Sequence, residues 1–296
     1  MKNQPKILFV IFAVVALASM LACSIPFVQI TIGDTPAPSN ANTPVPSVVP
    51  GGTEQPTNSQ MADLPPTPTN LKTYDSGVIH FSYDTSVFMD VDAQTVQAVQ
   101  PDPNAMPFGV APLHTELTLK GYVLSNTLHT PVMDLYPAAD FGAMLDFVQQ
   151  RIDTLKLFIA NQSSEGSGDL PYLPPENAGE IFHSNFKHLQ FQNGAGIRYL
   201  TQFAQAIYPI NNHDIFYTFQ GISSDGKTYI SVVVPVNNPV LQADGNTIPG
   251  GDFTAFSNNF PSYLAGVVAQ LNASPDDSFT PNLQLLDEMI QSLTLK

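Results

Sequence analysis

The chain has 296 residues, with 10 Lys and Arg against 25 Asp and Glu, a formal charge of −15. Such an acidic surface repels phosphate backbones and anionic headgroups, which excludes nucleic acid as a partner and excludes a basic membrane patch. Only 12% of residues are charged while 43% are apolar, so a large core is available under a polar, uncharged surface. Cys23 is the single cysteine, so no internal disulfide and no paired-thiolate metal site can form.

The N-terminus reads as an address. Lys2 and Lys6 precede an unbroken apolar and small-residue run, Ile7 to Met20. That run suits a signal-peptide core and is short of the ~20 residues a spanning helix needs. Met20-Leu21-Ala22-Cys23 follows at once and resembles the lipobox of bacterial lipoproteins. Ala22 fits the small residue before the cut; Met20 and Leu21 depart from the usual pattern. The resemblance implies a signal peptide over 1–22, fatty acyl chains such as palmitate on Cys23, and a body held on the extracytoplasmic side of the cell membrane. Residues 23–70 contain Thr-Pro-Ala-Pro, Thr-Pro-Val-Pro and Pro-Pro-Thr-Pro, with too few large apolar residues to pack. They are expected to form a flexible linker, a semi-extended spacer of about 3.1 Å per residue.

Residues 71–296 are expected to form a single globular α+β domain. Residues 77–84 alternate as a half-buried strand, and residues 115–122 do so more cleanly, with Leu117 and Leu119 on one face. Residues 131–136 suggest another strand, and the proline-broken stretch 101–112 a loop. Asp140 reads as the N-cap of one amphipathic helix reaching Asn161, with Phe141, Leu145, Val148, Ile152, Leu155 and Ile159 on its apolar face. Four strands then follow: 186–192, 197–203, 215–219 and 228–234. They are linked by turns at Asn193-Gly194 and Asp225-Gly226, which argues an antiparallel meander with one buried face. Residues 237–251 form a polar loop. Asp252 caps a helix that Pro261 should kink or split, with Phe253 among its inward residues. Thr280-Pro281 opens a last helix, and residues 293–296 are expected to add an edge strand.

The resulting fold class is α+β, an antiparallel sheet with helices packed on it. Gly-Val-Ile-His-Phe-Ser-Tyr at 77–83, the hairpin at Asp225-Gly226 and the closing Ile290-Gln291-Ser292-Leu293 resemble PsbP, the oxygen-evolving-complex protein, and its bacterial relatives. The resemblance implies a fold and a tendency to bind partners; it carries no active site.

A search for chemistry yields no catalytic set, no cofactor site and no metal site. His183 and His188 are five apart, not the four of a helical zinc pair, and read as strand-edge residues. His213-Asp214 pairs a base with a neighbouring carboxylate, but neighbours in a strand point apart, so loop polarity is the expected reason. Glu165-Gly166-Ser167-Gly168 lacks the first glycine of a nucleophile elbow. Asp90 and Asp92, Asp276 and Asp277, and Asp244 lack calcium-loop spacing and read as solvated loop carboxylates. The reading is a lipid-anchored, non-enzymatic binding or scaffolding module at the cell surface. The alternatives are a hydrolase with an unrecognised site, which would gather a histidine and a carboxylate in a pocket, and a solute-capture lipoprotein.

Overall fold

The chain runs first into a hairpin, β1 (Leu71–Asp75) and β2 (Ile79–Asp84), which β10 (Thr294–Leu295) completes as a three-stranded antiparallel sheet centred on β2. These features come from a computed structural model that describes residues 70–104, 106–163 and 170–296; the signal segment, Cys23 and the linker to position 69 lie outside the described residues. The second sheet has seven strands: β3 (Asp90–Val96), β4 (His114–Lys120), β5 (Val132–Pro137), β6 (Gly179–Phe191), β7 (Gly194–Ala204), β8 (Phe216–Ser223) and β9 (Thr228–Pro235). Its order is β3-β4-β5-β9-β8-β7-β6, antiparallel throughout. The expected meander is therefore present as β6 to β9, joined edge to edge with a second one, β3 to β5.

Helices cover both faces of this sheet. On one side lie α1 (Ala138–Met144) and α2 (Asp146–Asn161), packing Phe141, Val148, Ile152 and Leu155 against Tyr199, Phe216 and Tyr229. On the other lie α3 (Phe253–Asn258), α4 (Phe260–Ala273), α5 (Leu283–Gln291) and the small sheet, enclosing Phe81, Leu117, Met133, Phe219, Val232, Leu286 and Ile290. The expected single buried face is corrected here. All eight residues of β8 are buried, because its polar members Thr218 and Gln220 hydrogen-bond inside the helix-covered face rather than reaching water. Gly196 on β7 faces Gly221 on β8, and the Phe219 ring lies over both; a methyl group at Gly196 would collide with the Gln220 carbonyl.

The opposite face holds a buried charge cluster. Asp287 of α5 accepts from Arg198 Nε (3.1 Å) and Nη2 (2.9 Å), Lys187 Nζ (2.8 Å) and the Tyr217 hydroxyl (3.1 Å). Arg198 also donates to the Asn185 carbonyl. Asn185 has φ of 51° at an irregularity in β6, where it hydrogen-bonds Leu271 and Asn272 of α4. One guanidinium thus fixes α5 and the β6 bulge together.

Several local expectations change. The opening strand is a hairpin, turned at Ser76, whose hydroxyl oxygen accepts from the amides of Val78 and Ile79. Asp90 and Asp92 sit on strand β3, paired with Lys72 (2.9 Å) and Lys120 (2.5 Å), so they are not loop carboxylates. The long helix is broken at Leu145, which is extended (φ −151°, ψ 137°); Asp140 lies in the first turn of α1 and caps nothing. The Asp252 helix does split, at Asn259, and Asp252 accepts from Thr254 and Ala255 amides as its cap; Phe253, however, is exposed. Asn282, not Thr280, caps α5, because Thr280 exchanges both backbone hydrogen bonds with Asn237.

Candidate functional site

Four connections emerge at one end of the seven-stranded sheet: 121–131 between β4 and β5, 205–215 between β7 and β8, 236–251 after β9, and 170–178 before β6. Irregular segments at the end of a rigid sheet are where binding groups are usually displayed. Here amide side chains stitch them together. Asn212 donates to the carbonyls of Asn238 (3.1 Å) and Leu241 (3.2 Å), and its own side-chain oxygen accepts from Asn238 N (2.8 Å). Gln202 at the end of β7 holds Pro209 O and Asn211 N, each at 3.1 Å. Leu128 N reaches His213 O (2.8 Å), bringing the 121–131 loop to the same place.

Between the 236–251 loop, Ile210 and helix α4 lies an open groove of about 440 Å³. Ile210, Leu241, Tyr263 and Val267 give it apolar walls, and Gln242, Ser262 and Gln270 supply hydrogen-bonding groups; none of its lining residues is charged. The Tyr263 hydroxyl accepts from Ile210 N (3.0 Å), which ties α4 to the loop, and partial burial raises its pKa. The groove thus offers apolar surface and hydrogen-bonding groups without a charge.

Beside the groove, His213 and Asp214 meet. His213 Nδ1 is 2.5 Å from Asp214 Oδ1, and Asp214 Oδ2 accepts from Asn211 Nδ2 (2.9 Å). Asn211 Oδ1 accepts in return from the backbone amides of His213 (3.0 Å) and Asp214 (3.1 Å). Residues 212–214 form a turn, not a strand, and this corrects the expectation that the two side chains point apart. Asp214 is buried and the His213 ring is 34% exposed, so a fixed carboxylate orients a partly solvent-exposed imidazole. His129 joins them from the neighbouring loop. Its ring packs on Phe216 (4.3 Å between centroids), its Nε2 is buried with no hydrogen-bond partner, and burial lowers its pKa, which Asp214 partly offsets.

The remaining histidines lie elsewhere. His80 approaches Asp75 in the small sheet (3.7 Å), and His114 lies on β4. His183 and His188 are on edge strand β6, as expected from the sequence: His183 is 4.0 Å from Glu180 and His188 Nε2 contacts Ser163 O (2.8 Å). Asp276 is 3.8 Å from Arg198, and Asp244 accepts from Asn246 N within its loop (2.9 Å). Among the described residues no group of three or more His, Cys, Asp or Glu could hold a metal ion, and no helix is long and apolar enough to cross a membrane. Glu165 to Gly168 and Cys23 lie outside the described residues. No family model, curated protein or solved structure matches the chain.

Proposed function

We propose that this protein is a lipid-anchored, extracytoplasmic binding module that takes an uncharged, partly apolar ligand or partner segment in the groove beside α4. The carrying observation is that groove: walls from Ile210, Leu241, Tyr263 and Val267, polar groups from Gln242 and Gln270, and no charge. Attachment rests on Cys23 after the Ile7–Met20 run, and reach on the proline-rich linker. The likeness to PsbP proteins agrees with partner binding.

Two experiments test the two halves. Cys23→Ser should release the protein from membranes and remove the acyl mass; unchanged fractionation and mass would end the anchoring claim. Gly266→Trp extends into the groove, and because nothing lies within 4 Å of a Cβ placed at Gly266 the helix backbone should tolerate it. Photocrosslinking from Gln270 in intact cells should capture a partner that Gly266→Trp loses. Equal capture by both proteins would remove the groove from the function.

The hydrolase reading is favoured by one observation, the His213–Asp214 contact at 2.5 Å. It requires that His213→Ala abolish hydrolysis of a chromogenic ester or peptide by the wild type. If the wild type turns over none of them, this reading fails.

A further inference from the structure

The seven-stranded sheet ends differently at its two outer strands. An edge strand leaves a row of backbone amides and carbonyls open to pairing, and proteins block it with bulges, prolines, lysines or covering elements. β6 is blocked. Its register slips twice, between Glu180 and Phe182 and between Ser184 and Lys187. Helix α4 closes over the second slip, where Asn185 N donates to Asn272 Oδ1 (2.6 Å), and the end of α2 meets His188 Nε2 through Ser163 O (2.8 Å). In the small sheet, β10 is two residues long and β1 carries Lys72.

β3 has none of these devices. Asp-Val-Asp-Ala-Gln-Thr-Val contains no proline and no lysine, and it pairs with β4 in one unbroken register from Asp90–Lys120 to Val96–His114. Residues 92–95 are exposed. Backbone hydrogen bonds alternate sides along a strand. Leu119 N bonds Pro131 O on the β5 side, so the even-numbered residues of β4 turn their backbone groups to Asp90, Asp92 and Gln94 of β3. The odd-numbered residues of β3 therefore face outward. The Asp90 carboxylate takes the Val91 amide, and among the described residues no strand lies beside Ala93 and Thr95 on that side.

A chain of charge −15 repels a second copy over most of its surface, but along β3 each carboxylate carries its own lysine. Asp90 is 2.9 Å from Lys72, and Asp92 is 2.5 Å from Lys120. The strand also complements itself. An antiparallel two-fold pairing centred on Ala93 sets Ala93 against Ala93 of the copy, Asp92 against Gln94, Val91 against Thr95 and Asp90 against Val96. All seven residues are used and no two carboxylates stand opposite each other. Gln94 gives one amide hydrogen to Glu116 (2.7 Å); its second is available to Asp92 of the copy.

We propose that β3 is a homodimerisation edge, through which two copies of this chain join antiparallel and make their sheets continuous. The Ala93 amides and carbonyls of the two copies bond each other, and Thr95 N bonds Val91 O of the copy. This edge shares no residue with the groove beside α4, so the two readings stand or fall separately.

The test is photocrosslinking of the full chain in intact cells, with benzoylphenylalanine placed at Ala93, at Thr95, or at Gln190 of β6 as the control. The two β3 probes should give a band of twice the chain mass in which the β3 peptide is joined to itself; the Gln190 probe should not. With the probe at Ala93, Thr95→Pro should lower that band about tenfold, because it removes one outward amide from each copy and spares the bonds to β4. Should that variant fail to fold by circular dichroism, Ala93→Lys with the probe at Thr95 replaces it, since it sets two ammonium groups face to face. Crosslinks to another protein alone, none from either β3 position, or a doubled band unchanged in a folded variant overturns the proposal.

Discussion

Because Asp134 is buried opposite Glu116, its carboxyl keeps a proton up to about pH 7, whereas in the unfolded chain it loses it near pH ~4. Between those values the folded state holds the extra proton, so this residue's contribution to stability is greatest in acid and declines as pH rises from ~4 through 7. Asp134→Asn should abolish that decline, stabilising the protein by roughly 2–4 kcal/mol at pH 8 and by little at pH 4; thermal melts at the two pH values measure it, and an unchanged pH slope would refute it. Asp287 behaves differently, since its charge is matched by Arg198 and Lys187. Asp287→Ala leaves the buried Arg198 guanidinium with only the more distant Asp276 carboxylate, 3.8 Å away, with an expected loss of about 3–5 kcal/mol in urea unfolding. Neither arrangement was legible in the sequence. Arg198 and Asp287 are 89 positions apart, and the alternation of β7 assigned Arg198 to a face without revealing that this face is covered. His213 and Asp214 were singled out for the right pairing and then discounted, because the turn that turns them toward each other is set by Asn211 rather than by any strand or helix period.

At the scale of elements, the strands read best where alternation and turn chemistry agree. β7, β8 and β9 and the turns at Asn193 and Asp225 fall close to where the pattern puts them. The Asp225 carboxylate, pulled down to about 2 by the Ser223 hydroxyl and then the Lys227 amide, also fixes that turn. β3 was invisible, because Asp-Val-Asp-Ala-Gln-Thr-Val has weak alternation and its pairing residues lie beyond a long loop. The break at Leu145 was equally hidden: apolar spacing runs across it unbroken. In α5 the periodicity is reliable, and it makes a sharp prediction. Leu286, 1% exposed, should cost about 2–5 kcal/mol when changed to Ala, while exposed Gln284→Ala should stay within ~0.5 kcal/mol. Denaturant midpoints for the two variants would separate them, and equal effects would contradict the packing described.

At the scale of the fold, the α+β class followed from the element sequence, as the antiparallel sheets with five packed helices among the described residues bear out. The groove did not, because Ile210, Leu241 and Tyr263 converge from separate loops and a helix, and no local pattern marks convergence. The small sheet has a further consequence. Its central strand β2 waits for β10, which arrives more than 200 positions later: Thr294 pairs with His80, Lys296 N bonds Val78 O, and Ser292 exchanges hydrogen bonds with the Ser82 backbone, 210 residues distant. A polypeptide emerging amino end first therefore cannot complete this small sheet until α5 and β10 have appeared. Such high contact order slows closure of the small sheet, so one edge of β2 stays unpaired until β10 reaches it.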